Sequence, residues 1–151
     1  MDVRETEALD RMRRLLAELP VARLLGATGL AWHAADERAV IAFEARPEFC
    51  NLMGNVQGGL LTAMLDMAMA FGVICALDEG FVVPSLEIKT SYVAPARPGR
   101  LIGEGRPVRR GRNVAFMEGK LADESGRLIA TASATGQIRP RFPERDERGT
   151  K

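Results

Sequence analysis

The chain has 151 residues, with 21 basic and 20 acidic side chains and a formal net charge of +1. This length suits one domain, and a hydrophobic content of 46% is enough to fill one core. Because the charges nearly cancel, the chain lacks the overall field used by proteins that bind nucleic acids or membrane surfaces, so an anionic ligand must meet a local cluster.

The first part of the chain predicts an amphipathic helix followed by a β-hairpin. Residues 5–19 carry apolar side chains at helical spacing among many charges, and Pro20 follows them. We therefore assign residues 1–20 to an N-terminal helix. Residues 28–45 contain two runs typical of strands, which are separated by a turn-like Ala-Ala-Asp-Glu sequence and predict a hairpin.

The second part predicts one long helix and four further strands. A loop over residues 46–57 leads into residues 58–77, which are apolar on all sides. The four strand candidates are residues 82–93, 101–108, 114–122 and 127–139. This order predicts an α+β domain over residues 1–139, in which an antiparallel sheet wraps around one central helix. Residues 140–151 are charged and contain proline, which predicts a disordered tail.

The apolar segment at residues 58–77 also has the length of a membrane span, so a small membrane-anchored protein is one alternative. Asp66 argues against it, because an acidic residue well inside a lone span costs about 3 kcal/mol. The charged N-terminus lacks the apolar stretch of a signal peptide. Cys50 and Cys75 show neither paired spacing nor a metal-ligand pattern. We therefore expect a cytoplasmic protein with reduced thiols and no bound metal.

Two glycines begin the central helix. The free N–H groups at a helix N-terminus carry partial positive charge and can hold a carbonyl oxygen that becomes negative during acyl transfer. Gly58 and Gly59 have no side chain that would block such an approach. The glycine pair alone also fits an ordinary junction between a loop and a helix.

Asp66 is the most unusual residue of the central helix. A carboxylate between Leu65 and Met67 must be paired, hydrogen-bonded or functional. Helical spacing places Gly59 and Thr62 on the same stripe as Asp66, and small residues line most of that stripe. The stripe therefore leaves room for a substrate or a neighbouring subunit, although a structural aspartate satisfied by backbone groups fits the same pattern.

Two blocks of sequence resemble the PaaI-like, or acyl-CoA thioesterase, branch of the hotdog superfamily. In the first block, Asn51, the sequence Gln57-Gly-Gly and Asp66 fall at the spacings of that family's signature. The second block runs from Pro84 to residue 96 and includes the Tyr-x-x-Pro ending of the family's next strand. The resemblance covers about residues 25–138 and implies the hotdog fold.

The resemblance also implies roles for individual residues. The Gly58 N–H is expected to bind the oxyanion, and Asp66 to act as the nucleophile or as the general base for water. Asn51 is expected to place the thioester or the water, and Ser85 to orient Asp66 or the water. Hotdog thioesterases are usually dimers with sites between subunits, so a homodimer is expected, and a tetramer built from two dimers fits as well. Pairing of long strands would also cover a sheet edge.

One position departs from the family signature. Gln57 stands where the family usually has histidine, and His33, the single histidine, lies on a predicted strand as a surface or packing residue. Gln57 can hydrogen-bond a thioester carbonyl but cannot transfer a proton near neutral pH. Hydrolysis tolerates this change because a thiolate leaving group needs little protonation.

A cluster of arginines surrounds one predicted turn and includes Arg109, Arg110 and Arg112. These side chains are candidates to bind the phosphates of CoA, although a solvated hairpin tip gives the same pattern. No cofactor is expected, because CoA is part of the substrate.

Two functions follow from the sequence. The first is hydrolysis of an acyl-CoA or aryl-CoA thioester to the free acid and CoA. The alternative is a hotdog module that binds acyl-CoA without turnover, in which Gln57 marks lost activity.

Overall fold

The computed structural model describes residues 2–142, so residues 143–151 of the predicted tail lie outside the described part of the chain. The helices and strands, in chain order, are α1 (Val3–Glu18), α2 (Pro20–Leu24), β1 (Thr28–His33), β2 (Arg38–Ala45), α3 (Gly58–Ile74), β3 (Phe81–Val82), β4 (Ser85–Tyr92), β5 (Gly99–Arg110), β6 (Val114–Asp123), β7 (Leu128–Gln137) and β8 (Arg139–Pro140). This order confirms the predicted α+β class with a central helix.

Six of the strands form one antiparallel sheet. Their order is β1-β2-β5-β6-β7-β4, while β3 and β8 pair with each other in a separate two-stranded ribbon. Strand β7 alternates as the sequence predicts, with Ala130 and Ala132 buried and Ser133 exposed. Strand β4 is an edge of the six-stranded sheet, so one side of its backbone has no strand partner within residues 2–142.

Helix α3 lies directly on the sheet because glycines remove the side chains that would separate them. A Cβ atom on Gly105 of β5 would lie 2.3 Å from the backbone of Ala68, and one on Gly72 would lie 2.6 Å from the Gly105 carbonyl oxygen. The indole Nε1 of Trp32 donates a hydrogen bond of 3.1 Å to the Gly72 carbonyl. This hydrogen bond helps to set the distance between α3 and the sheet.

The face of α3 toward the sheet forms the core. Its buried side chains, among them Met64, Leu65 and Val73, share one cluster with Ile41 and Leu121 of the sheet. Full burial of each such large apolar side chain stabilises the fold by about 1.5–3 kcal/mol. The opposite face of the helix is less covered, and there Asp66 is half-buried.

Helix α1 is tied to the far end of α3. Met12 and Leu16 of α1 are buried in the common core. The guanidinium of Arg11 donates hydrogen bonds to the carbonyl oxygens of Leu77 and Asp78, just beyond α3. These hydrogen bonds tie α1 to the loop that follows α3.

The structure differs from the sequence predictions at several boundaries. Strand β5 is two residues longer at each end than predicted, the last long strand ends at Gln137, and Pro140, which was assigned to the tail, lies in β8. The N-terminal helix ends at Glu18, and Pro20 begins the separate short helix α2. The strand predicted over residues 82–93 is divided into β3 and β4 at Pro84, which has no N–H to donate to a ladder. Helix α3 ends at Ile74 rather than residue 77. Within residues 2–142, no helix has both the length and the apolar run needed to cross a membrane.

Candidate active site

Asp66 and Ser85 form a direct pair between helix α3 and strand β4. The Ser85 hydroxyl donates a hydrogen bond of 2.5 Å to Oδ1 of Asp66, and both residues are half-buried. Short bonds of this kind are typical of a hydroxyl donating to a carboxylate. The second carboxylate oxygen, Oδ2, receives no hydrogen bond from residues 2–142, so it is available to a reacting group.

The N-terminus of α3 carries two free amide donors. Gln57 is the N-cap residue, and its side chain makes no capping hydrogen bond. The Gln57 carbonyl accepts from Leu60 N–H at 2.9 Å. Among residues 2–142, no protein acceptor receives the N–H groups of Gly58 and Gly59. These two donors therefore present partial positive charge to a ligand.

The two glycines at this end have different surroundings. A Cβ atom on Gly58 would lie 2.9 Å from the ring of Tyr92, whereas a Cβ atom on Gly59 would meet no atom within 4 Å. Packing inside the subunit therefore explains the glycine at position 58. Nothing in the subunit requires a glycine at position 59, so a substrate or a second subunit is the candidate neighbour there.

A hydroxyl network holds the first turns of α3 against β4. The Tyr92 hydroxyl donates to the Gly58 carbonyl at 2.9 Å and lies 2.8 Å from Oγ1 of Thr62. The Thr62 hydroxyl in turn donates to Oγ1 of Thr90 at 2.9 Å. Thr62, which the sequence suggested as a substrate-binding residue, thus has its hydroxyl engaged inside the subunit.

Sequence reasoning assigned no role to Tyr92 or Thr90. A signal was present, because residues 88, 90 and 92 alternate along β4 and must face the same side of the sheet as one another. That side is the one covered by α3. The alternation of side chains along β4 could therefore have predicted that the hydroxyls of Thr90 and Tyr92 lie beside α3.

Asn51 organises the loop that precedes α3. Its Oδ1 accepts hydrogen bonds from the N–H groups of Met53 at 3.0 Å and Asn55 at 3.3 Å. This turn is a common conformation for asparagine. The Nδ2 group donates to no acceptor within residues 2–142, so this end of the side chain alone is available to place a thioester or water.

The predicted arginine cluster lies at the tip of the β5–β6 hairpin. Arg110 forms a two-pronged ion pair with Glu37, at 2.9 and 2.7 Å, and this hydrogen-bonded carboxylate raises the pKa of the Arg110 guanidinium. Arg109 and Arg112 are exposed and make no ion pair with residues 2–142. Arg110 and Ser85 lie in one row across the sheet, three strand spacings or about 14 Å apart.

Gly58 and Asp66 are well separated within one subunit. Asp66 lies eight positions after Gly58 on α3, which corresponds to about 12 Å of helix rise. A carbonyl group bound to an amide at about 3 Å cannot also touch a carboxylate at that distance. One subunit therefore does not bring together the two groups that the sequence predicted to act on the same carbonyl.

An open cleft of about 340 Å³ lies beside Asp66 and Ser85. Val21 of α2 lines it together with side chains of α3 and of the β3–β8 ribbon, and within residues 2–142 Arg139 is the only other lining residue with a polar side chain. Sequence reasoning missed the contribution of α2, because five residues are too few to show a helical period.

The remaining candidate groups lie elsewhere. His33 is half-buried on β1, at the edge of the sheet opposite β4. Within residues 2–142, no group of three or more His, Cys, Asp or Glu side chains could hold a metal ion. Cys75 is buried, and burial raises the pKa of its thiol to about 12 despite the opposing effect of Arg11.

Comparison with known proteins gives a consistent result. The model of the thioesterase superfamily matches residues 53–130, a segment that includes Gln57, Gly58, Asp66 and Ser85. A phenylacetic acid degradation-related protein from Ralstonia eutropha JMP134 is 37% identical, with a TM-score of 0.77 over 83% of this chain and 98% of that one.

Two more distant structures share the fold. A thioesterase of Haemophilus influenzae is 20% identical, with a TM-score of 0.78 over 91% of this chain and 94% of that one. The PaaI protein of E. coli, from the phenylacetic acid degradation operon, is 14% identical, with a TM-score of 0.79 over 89% and 94%. The likeness confirms the predicted hotdog architecture.

Proposed function

This chain belongs to the thioesterase superfamily, and we propose that it hydrolyses an acyl-CoA or aryl-CoA thioester to the free acid and CoA. Asp66 supports this proposal most directly. Its carboxylate is held by Ser85 at 2.5 Å, keeps one oxygen free and faces an apolar cleft. A carboxylate oriented in this way can attack a carbonyl carbon or remove a proton from water.

The reaction begins with the thioester carbonyl oxygen bound to the Gly58 N–H, with help from the Gln57 side chain. In one route, Asp66 attacks the carbonyl carbon, the C–S bond breaks, and water then hydrolyses the mixed anhydride. In the other, Asp66 removes a proton from a water placed by Asn51 and Ser85, this water attacks, and the proton passes to the departing thiolate. Both routes place negative charge on the carbonyl oxygen, which the helix N-terminus stabilises.

Gln57 fits this chemistry. A carboxamide donates a hydrogen bond to the carbonyl oxygen without any change of protonation state. Because a thiolate leaves readily, no second acid is required at position 57. Arg109 and Arg112, which form no ion pair with the described residues 2–142, would meet the CoA phosphates, whereas Arg110 already pairs with Glu37.

The active form we propose is a homodimer, in which Gly58, Gln57 and Asn51 of one subunit face Asp66 and Ser85 of the other. The 12 Å rise between the two groups, taken as an approximate helix length, supports this arrangement. The free edge of β4 also supports it, since Leu86 on that strand is 63% exposed. Pairing of two such edges would satisfy backbone groups and cover apolar surface.

A panel of acyl-CoA and aryl-CoA thioesters tests the activity, with release of the free thiol as the measurement. We expect turnover of at least one apolar thioester. If no thioester is turned over while calorimetry detects binding, the protein is an acyl-CoA-binding module instead.

Mixing two inactive variants tests the shared site. Asp66→Asn removes the acid, and Gly59→Val blocks the amide end. Each heterodimer has one site with both halves intact, so an equilibrated equal mixture regains about a quarter of wild-type activity. A site contained within one subunit would regain none. Light scattering on the same samples distinguishes a dimer from a tetramer.

Single turnover in heavy-oxygen water tests for the anhydride route. Label in the Asp66 carboxylate, detected by mass spectrometry of the peptide, requires an anhydride that water opens at the aspartyl carbonyl carbon. Label in the released acid alone is the result of the water route, and also of an anhydride that water opens at the acyl carbon.

A further inference from the structure

We propose that the short helix α2 forms the selectivity wall of an acyl pocket, and that this pocket accepts an uncharged, apolar acyl or aryl group. This inference rests on the proposed function and names its substrate class. Helix α2 spans Pro20–Leu24 and follows α1 directly. It contributes Val21 to the cleft that contains Asp66, while Leu19 lines the cleft from just before the helix.

The position of the acid fixes where the acyl group must lie. The thioester carbonyl carbon reacts either with a carboxylate oxygen of Asp66 or with the oxygen of a water that Asp66 holds. It must therefore lie about 3 Å from one of these two oxygens. The substituent on that carbon then enters the space next to Asp66. That space is lined by Ala70, Phe71 and Ile74 of α3, and by Val21 across from them.

The size of the cleft fits the acyl part alone. Its volume of about 340 Å³ lies near the lower end of the roughly 300–1,000 Å³ range of small-molecule pockets. A complete CoA thioester is much larger than an acyl group, so the CoA portion must extend out of the cleft. Selection by this wall therefore acts on the acyl group.

The shape of the cleft determines the direction in which the acyl group extends and where it must end. From Asp66 to Ile74 the cleft follows α3 for about 12 Å of helix rise. Leu19, Phe71, Ile74 and Val82 also line a second depression, of about 260 Å³, between α1 and β3. These four side chains border both spaces, and we expect them to limit the length of acyl chain that the first one holds.

The charges favour an apolar group. Asp66 and Ser85 occupy the reactive end, and Arg139, which is exposed, is the remaining polar side chain of the lining. A carboxylate on the acyl group would lose hydration among Phe71 and Ile74 and would lie near the negative charge of Asp66, and among residues 2–142 the exposed Arg139 is the one lining cation that could offset this cost. We therefore expect acyl groups that carry a second carboxylate to be poor substrates.

Two substitutions on α2 test the wall. Val21 and Leu24 are exposed to nearly the same extent, 46% and 48%, but of the two only Val21 lines the cleft. We expect Val21→Phe to lower kcat/KM for decanoyl-CoA by about tenfold or more relative to acetyl-CoA, because the larger ring narrows the cleft. Leu24→Phe, the matched control, should leave this ratio within about twofold of wild type.

Further substrates and a second variant complete the experiment. Benzoyl-CoA should follow decanoyl-CoA, and succinyl-CoA should be turned over more slowly than either by the wild-type protein. Val21→Asp places a carboxylate on the same wall without changing a buried position, so it should lower the decanoyl to acetyl ratio as well. Thermal unfolding of each variant verifies that the fold is intact.

The outcomes separate this inference from the proposed function. An unchanged substrate ratio in both Val21 variants, an equal change in Leu24→Phe, or a preference for succinyl-CoA would overturn the selectivity wall while leaving the thioesterase proposal standing. Absence of turnover by the wild-type protein on every substrate would overturn the proposed function, and the acyl pocket with it.

Discussion

The two parts of the candidate site lie on one helix but are built in different ways. The amide end of α3 is closed from one side by the Tyr92 ring and held by its hydroxyl at 2.9 Å from the Gly58 carbonyl oxygen. Asp66 instead has one hydrogen-bonding partner in the described part of the chain, Ser85, and borders open apolar space. The amide end, which we call the donor platform, is therefore held in place by contacts inside the subunit. The surroundings of Asp66, by contrast, are completed by whatever binds in the cleft. Changes at the donor platform or at Asp66 should therefore affect catalysis, whereas changes in the apolar lining around Asp66 should affect substrate choice.

Loss of the acid should have the largest effect. We expect Asp66→Asn to lower kcat by about 10³-fold or more, because an amide is neither a nucleophile nor a base at neutral pH. Asp10→Asn on the exposed face of α1 is the control and should retain wild-type turnover. Thiol release from the best substrate of the panel measures both. Equal rates for Asp66→Asn and wild type would remove Asp66 from the mechanism.

The adjacent glycines should separate activity from stability. We expect Gly59→Ala to lower kcat/KM by about 10²-fold with unfolding free energy unchanged, because its methyl group points into open space where we propose that the substrate or a second subunit lies. Gly58→Ala should instead lower the unfolding free energy by about 1 kcal/mol, because its methyl group displaces the Tyr92 ring and weakens the hydrogen bond from the Tyr92 hydroxyl to the Gly58 carbonyl. Urea denaturation and steady-state kinetics on both variants measure the contrast. Full activity in Gly59→Ala would show that nothing approaches that position.

Removal of the Ser85 hydroxyl should have a smaller effect. We expect Ser85→Ala to lower kcat by about tenfold, because Asp66 loses the bond that orients its carboxylate. Ser91→Ala, an exposed position on the same strand, serves as the control. The double variant Asp66→Asn with Ser85→Ala should be no slower than Asp66→Asn alone, since the serine acts through the acid. Full additivity in this cycle would contradict a positioning role.

The mildest change should be Tyr92→Phe, which keeps the ring against Gly58 and removes one hydroxyl. We expect the unfolding free energy to fall by about 1 kcal/mol, as is typical of one hydrogen-bonded group, and kcat to fall less than in Ser85→Ala. Urea denaturation and kinetics measure the two quantities. A loss of kcat as large as that of Asp66→Asn would mean that Tyr92 contacts the substrate itself.

Much of the fold was predictable because its signals are local. The alternation along β7 and the apolar sequence of α3 each depend on neighbouring residues, and both predictions are confirmed. Helix α2 could not be predicted, because Pro20 ends one helical pattern and five residues do not establish another. The division between β3 and β4 follows from Pro84, whose effect on a strand depends on which neighbour it faces.

The site was predictable only in part. Spacing placed Asp66 on an open face of α3, and the family resemblance placed Ser85 near it, as the hydrogen bond of 2.5 Å shows. The partner of Arg110 could not be found, since Glu37 lies 73 positions away in the chain. The engagement of Thr62 by Thr90 and Tyr92 likewise depends on how the helix and the strand meet.

The glycines beneath α3 make the reactive geometry sensitive to distant changes. Gly103, Gly105 and Gly119 of the sheet each leave less than 3 Å for a Cβ atom before it meets the helix or a core side chain. A methyl group on Gly105 would meet the backbone of Ala68 and Met69, push α3 away from the sheet and lengthen the gap between the carboxylate and the hydroxyl of β4. A methyl group on Gly103 or Gly119 would first displace the Phe43 ring or the Met69 side chain, which pack under the same helix. A substitution at one of these glycines is therefore expected to lower kcat, although it changes no residue that lines the cleft.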